Sequence, residues 1–344
     1  MPFGQVVVGP PGSGKSTYCN GMQQFMRGIG RKVVVVNMDP ANEGYTYECG
    51  VDIQDLICVQ PVMEELKLGP NGALIYCMEY LKEHLEDWLK VQLKPYIVDD
   101  SYYVIFDMPG QIELYTHYNV VKDICDVLVN KWHFRLCAVN LVDAHHCTDA
   151  SKYISVLMVS LSIMIRLELP HVNILSKVDL IEQYGKLAFD IDFYTDVQDL
   201  SYLVQSIGRK PESHIDGEAN SNPIESDEDE NDDDEKHDMQ DEESFESKIA
   251  KRKRKYKTRF RKLNQLMADV IQDYSLVSFC TLNIQDKESV LNVLKTVDKA
   301  SGYVFGACEQ DNTSILDVAS SNLKWAYEAN DDVRTKYLKE HNDE

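Results

Sequence analysis

Nine residues near the start of the chain, Gly9-Pro-Pro-Gly-Ser-Gly14-Lys15-Ser16-Thr17, match the spacing G-x-x-x-x-G-K-[ST]. A valine-rich run precedes them and a helical pattern follows, which is the context a phosphate-binding loop requires. Small residues at Gly12, Ser13 and Gly14 let backbone N–H groups face phosphate oxygens, and the start of a helix adds positive potential. Lys15 is placed to reach the β- and γ-phosphates, the Ser16 hydroxyl to ligate Mg²⁺, and Thr17 to extend the cradle. A nucleoside triphosphate is the implied ligand.

Two further carboxylates stand just past apolar runs. In "KVVVVNMDPANE", Asp39 can ligate Mg²⁺, directly or through water, or polarise the attacking water. Read by itself, an Asp before Pro is also an ordinary turn start. In "YYVIFDMPGQIELY", Asp107 occupies the position of the acidic residue that holds Mg²⁺ in phosphate-loop enzymes, and the amide of Gly110 can bond a γ-phosphate. The stretch Ser176-Lys177-Val178-Asp179 addresses the base. A carboxylate at Asp179 accepts from both N1–H and N2–H₂ of guanine, a donor pair that adenine lacks. Lys177 can lie along the base face. The usual guanine motif has Asn where Ser176 stands, and Ser reaches less far. Thr281-Leu282-Asn283 is expected to form the second wall of the base pocket.

The elements that must position these residues alternate. Strands are expected at Gln5–Val8, Lys32–Asn37, Tyr102–Phe106, Leu136–Val142, Val172–Leu175 and Leu276–Leu282. Helical patterns cover Lys15–Arg27, Ala73–Leu93, Val120–Trp132 and Ala150–Leu167. Buried strands alternating with amphipathic helices imply an α/β fold of the phosphate-loop NTPase type, a mostly parallel sheet with helices on both faces and ligands at the carboxyl ends of its strands. One domain over residues 1–301 is expected, with a helical insertion at about 182–274. Within the insertion lie a helix near Asp192–Ile207, a disordered acidic segment at about 209–246, and a long basic helix, Ser247–Asp273. Residues 302–344 form a C-terminal part in which Ser314–Tyr327 reads as a helix and the residues after it as a frayed tail.

Charge is uneven. Of the formal net −22, the stretch Glu225–Glu246 carries −13 and the remainder −9. Such an acidic run cannot bury enough apolar surface to fold. The moderately acidic remainder makes direct nucleic-acid binding through phosphate neutralisation unexpected. "AKRKRKYKTRFRKLNQL", with its core Lys251–Lys255, matches a localisation signal or nucleic-acid patch, but the reading favoured is a helix whose charged face is solvated or held by the acidic run before it, which would mask the basic residues. The nine cysteines are scattered without a C-x-x-C pair and read as reduced and intracellular. His145-His146-Cys147 lacks a second ligand pair and reads as a loop at a strand end rather than a metal site. "GQVVVG" enters a strand at once, so no signal peptide is expected, and the apolar run Val156–Ile165 is too short to span a bilayer.

With these motifs in place the sequence resembles the GPN-loop GTPases over almost its whole length, the acidic insert excepted. The resemblance is carried by Gly9–Thr17, "NMDPANE", Gly69-Pro70-Asn71, "DMPGQIEL" and "SFCTLNIQDKESV". Gly69-Pro70-Asn71 is otherwise only a stiff turn before a helix. The resemblance implies a GTP/GDP- and Mg²⁺-dependent GTPase that forms homodimers, or heterodimers with other family members. It implies that Asn71 acts in trans on the partner's nucleotide, and that Gln111 and Glu113 position or polarise the water. It also implies a role in assembly and nuclear import of RNA polymerase II, a cytoplasmic location with possible passage to the nucleus, and no membrane contact. A nucleotide-dependent scaffold with negligible turnover and a phosphate-loop kinase remain open; the latter would need an acceptor pocket, often under an Arg-rich lid.

Overall fold

The short runs of Val and Ile do become strands. In the computed structural model, seven of them form one sheet: β1 Phe3–Val8, β2 Val33–Asn37, β3 Cys49–Asp52, β4 Tyr103–Asp107, β5 Arg135–Asp143, β6 His171–Ser176 and β7 Phe279–Leu282. Their order is β3-β2-β4-β1-β5-β6-β7, and every pairing is parallel. The structure describes residues 1–42, 44–98, 102–185, 187–197, 199–206, 245–303 and 326–337, with side chains from 259 and from 330 in the last two stretches. The acidic run up to residue 244, and residues 314–325 of the expected C-terminal helix, lie outside the described residues.

Alternation along each strand sorts its side chains to two faces. Val6, Val8, Val34, Val36, Val104 and Phe106 pack with Met78, Leu81, Leu89 and Leu93 on one face. Val7, Val33, Val35 and Ile105 pack on the other with Tyr18, Met22 and Met26 of helix Lys15–Gly28 and Val293 and Val297 of helix Lys287–Ser301. Beyond β5, helix Ala150–Leu167 closes a further cluster with the insertion helices. That helix is, by length and composition, apolar enough to cross a membrane, at mean hydropathy 1.4 over 18 residues, longer than the apolar run alone suggested. In this fold its Tyr153, Ile154, Leu157 and Leu161 are buried in the core.

Several boundaries differ from the pattern in the sequence. β3 was not legible, because Cys49-Gly50-Val51-Asp52 has no apolar run. A Cβ at Gly50 would lie 2.2 Å from Val34 Cγ2, so the close approach of β2 requires glycine. The expected helix Ala73–Leu93 instead starts at Pro70 and ends at Glu83. A π-helical turn, Leu85–Leu89, leads from it into helix Lys90–Val98. The stretch Val120–Trp132 likewise passes at Asp126 into a π-helical turn, Val127–Lys131. The helix expected at Asp192–Ile207 is two, Ile191–Asp196 and Leu200–Ser206, separated by left-handed residues at Val197 (φ 54°) and Asp199 (φ 50°). The basic helix spans Phe245–Tyr274. Residues 328–337 are not frayed as expected: Ala326–Tyr337 is a helix anchored by Asn330, whose amide donates to Asp192 (2.6 Å) and Thr195 (2.8 Å), while residues 338–344 lie outside the described residues.

Candidate nucleotide site

Parallel strands bring all their carboxyl ends to one edge, and the residues singled out by spacing meet there. The phosphate loop turns through three glycines with positive φ, Gly9 at 144°, Gly12 at 78° and Gly14 at 91°. A Cβ on Gly9 would meet the Leu141 carbonyl oxygen at 2.5 Å, so β5 leaves no room for a side chain. Gly14 caps helix Lys15–Gly28, whose first turn carries no acidic residue to offset its positive end. Lys15 is buried, and its Nζ donates to the Pro10 carbonyl at 3.2 Å.

β4 and β2 place the two carboxylates beside that ammonium. Register aligns Asp107 with Val7 of β1 and with Asn37 of β2. The Ser16 hydroxyl donates to Asp107 Oδ2 at 2.9 Å, and Tyr47 donates to the same oxygen at 2.9 Å. Asn42 Nδ2 donates to Ser16 Oγ at 3.1 Å. Asp39 Oδ1 accepts from the Ala41 amide at 3.0 Å, and the Gly110 amide also donates to this carboxylate. Burial pushes both carboxyls above their ordinary value, against the pull of these donors and of Lys15. Burial lowers Lys15, and the two carboxylates work against that lowering. Asp107 Oδ1 is buried without a hydrogen-bond partner among the described residues. An orphaned carboxylate oxygen beside a serine hydroxyl is a donor set that fits a divalent cation.

The base side is built from the ends of β5, β6 and β7. An open cleft is lined by the loop at Ser13 and Gly14, Thr17, Ser176, Lys177, Asp179 and the run Leu282–Gln285. Ser176, in place of the usual Asn, still reaches the phosphate loop: its Oγ lies 2.9 Å from the Ser13 carbonyl and 3.1 Å from that of Val142. Lys177, at φ 59°, sends its Nζ to the Gly12 carbonyl (2.7 Å) and to Asp143 Oδ2 (2.6 Å). Burial opposes ionisation of Asp143, yet the His145 amide and Lys177 hold its carboxyl below the ordinary value. Val178, expected at the site, is wholly buried in the core and does not line this cleft. Thr281 does not line the cleft. Alternation in β7 turns it away, and the wall begins at Leu282.

The remaining predicted residues are less engaged. Gln111 Oε1 is buried without a partner among the described residues, and Glu113 is exposed at the start of the short helix Glu113–Thr116. Asn71 is exposed in the first turn of helix Pro70–Glu83, and its side chain has no partner among the described residues. Exposed Leu66 and Leu68 precede it and exposed Tyr76 follows. The His145-His146-Cys147 stretch forms a 3₁₀ turn, and no cluster of three or more His, Cys, Asp or Glu side chains that could hold a metal occurs among the described residues. Sequence reading missed Asn42, Tyr47 and Asp143. Asp143 closes an apolar strand just as Asp107 does, so its signal was present; Tyr47 had none.

A phosphate loop beside the buried carboxylate of Asp107 and the partly buried one of Asp39, with a guanine-compatible cleft at its other flank, defines a phosphate-loop nucleotide-binding protein. Residues 7–220 match the family model described as "Conserved hypothetical ATP binding protein". The chain is 50% identical to GPN-loop GTPase 2 of Danio rerio over 98% of this chain and 92% of that protein. It is 45% identical to GPN-loop GTPase QQT1 of Arabidopsis thaliana over 99% and 98%. It is 38% identical to GPN-loop GTPase 2 of Saccharomyces cerevisiae over 98% and 85%. The chain belongs to the GPN-loop GTPase family. Its fold is similar to that of a GTPase from Pyrococcus abyssi in apo form, with a TM-score of 0.58 at 20% identity over 87% of this chain and 97% of that one.

Proposed function

We propose that the protein is a Mg²⁺-dependent GTPase switch whose hydrolysis site is completed by a second subunit, and that it serves in assembly and nuclear import of RNA polymerase II from a largely cytoplasmic location. The hydrolytic part rests on one observation above all: Lys15, Ser16, Asp39 and Asp107 converge at the phosphate loop. Ser16 and Asp107, with Asp39 beside them, would hold Mg²⁺, which neutralises charge on the phosphates when bound. Lys15 opposes the phosphate negative charge. The Gly110 amide, held by Asp39 in this state, is the group a γ-phosphate would draw away, so β4 can report whether that phosphate is present. Asp39 and Gln111 are the side chains available to orient the attacking water.

Exposure of Asn71 on a rigid turn, flanked by exposed Leu66, Leu68 and Tyr76, supports the dimeric reading. A preorganised amide donor supplied by the partner would stabilise charge as it develops, typically worth about 10²–10³ in rate. The polymerase role rests on family membership alone.

Mixing Asn71→Ala protein with excess Lys15→Ala protein tests the trans arrangement. In a mixed dimer the Asn71→Ala subunit holds nucleotide through its own Lys15 and faces a normal loop, so GTP turnover returns. Turnover that stays at the single-mutant level despite confirmed mixed dimers places Asn71 outside the partner's site.

A further inference from the structure

The insertion ends in the 30-residue helix Phe245–Tyr274, and its described part has two apolar faces. One is docked: Asn264, Ala268 and Ile271 are at most 3% exposed, and they pack with Met267 against the helices of the insertion and helix Ala150–Leu167. The other is open. Leu263, Leu266, Val270 and Tyr274 are 50%, 55%, 40% and 53% exposed. Steps of three, four and four residues hold them within one helical stripe. Four large apolar side chains in register on solvent are more than the scattered surface leucines of an ordinary fold. The helix therefore has a wider apolar arc than its own body covers.

The sequence identifies what covers it. The stretch 251–262, which leads into the stripe on the same helix, holds nine Lys or Arg and no acid, and seven-residue steps back from Leu263 reach Tyr256 and Ile249. A second copy of this helix would bring nine cations against nine. The run Glu225–Ser244 has the opposite charge, but its sole large apolar residue is Met239, so it can screen lysines without covering a stripe. Extended polyanions such as an anionic bilayer or RNA would meet a protein of net charge −22.

We infer that this face is the docking surface for an acidic amphipathic helix of a partner protein, its leucine-type face on Leu263, Leu266, Val270 and Tyr274 and its carboxylates on the basic stretch. The mode is helix against helix, read at heptad spacing, with charge setting partner choice.

A fluorescein-labelled peptide of three heptads, with Leu at a and d and Glu on the flanks, tests this by anisotropy against the full chain. Saturable binding is expected, weakening as salt rises and absent for a scrambled peptide of the same composition. Leu263→Glu/Val270→Glu should reduce affinity at least tenfold while leaving melting temperature and GTP binding unchanged, since both positions are solvent-exposed. Four outcomes overturn the inference: no saturable binding; equal binding by the double variant; a double variant with a large loss of stability, which would make the stripe internal packing; and stripe-dependent self-association of the wild type. Binding to phosphatidylserine vesicles or to single-stranded RNA that the double variant loses, with no peptide binding, would transfer the surface to those partners.

Discussion

A carbon attached to Gly110 would lie 2.9 Å from Nζ of Lys15 and 3.2 Å from Cα of Pro11. The loop after β4 and the phosphate loop after β1 are therefore in contact through backbone, without room for a side chain. The same glycine gives its amide to Asp39. Three of the strands that meet at the site are thus coupled at one residue.

Gly110→Ala should push Lys15 and the Gly110 amide apart where a γ-phosphate would bind. GTP affinity is expected to fall about tenfold, or ~1.4 kcal/mol, with GDP affinity nearly unchanged. Titration of a fluorescent GTP analogue and its GDP counterpart checks this. An equal loss for both nucleotides would mean that the glycine serves only loop geometry.

Asp107→Asn separates stability from function. Burial raises the Asp107 carboxyl in the folded chain, so the folded state holds that proton more tightly than the unfolded state. Its favourable contribution is complete below the unfolded value and is lost as pH rises through the raised folded value. The nucleotide-free variant should melt higher than wild type near pH 8, with the difference closing toward about pH 4. Mg²⁺ should cease to strengthen nucleotide binding in the variant. A lower melting temperature at pH 8 would show that the charged form is favoured by its neighbours.

Asp179→Asn should move preference from GTP toward xanthosine triphosphate, because xanthine offers a carbonyl where guanine offers an amino group, and Asn can donate to it. Asp179 lines the cleft beside Lys177 and the Leu282–Gln285 wall. A competition titration in which the variant still favours GTP tenfold, about 1.4 kcal/mol, would put base recognition elsewhere.

The site was legible where chemistry is tied to local spacing. Gly9 to Ser16 declare a phosphate loop in eight residues, and Asp39 and Asp107 declare themselves by closing apolar runs in the right order. Alternation of apolar runs and amphipathic stretches was enough for the parallel sheet. What stayed hidden depends on tertiary approach. Tyr47 matters because β3 brings its loop over Asp107, and β3 itself is a four-residue strand whose glycine is demanded by Val34 across the sheet. Thr281 and Leu282 are neighbours in sequence, but strand alternation sends only one of them to the cleft. Nor could spacing show that Ser176 spans the gap to the phosphate loop in place of Asn, since that reach is set by the proximity of Ser13 and Val142. The open stripe on the basic helix was masked by the charge around it.

Phosphate release from GTP and from ATP, followed with the purified chain in the presence of Mg²⁺, shows whether Lys15, Asp107 and Asp179 together make a GTPase centre. The family model's description names ATP, whereas the Asp179 cleft favours guanine. Multiple turnovers on GTP are expected, with ATP cleaved at least ~10²-fold more slowly because adenine leaves Asp179 unpaired, and with GTP turnover abolished in Lys15→Ala. Equal release from ATP, or release from GTP that survives Lys15→Ala, would contradict the assignment of this site as a GTPase centre.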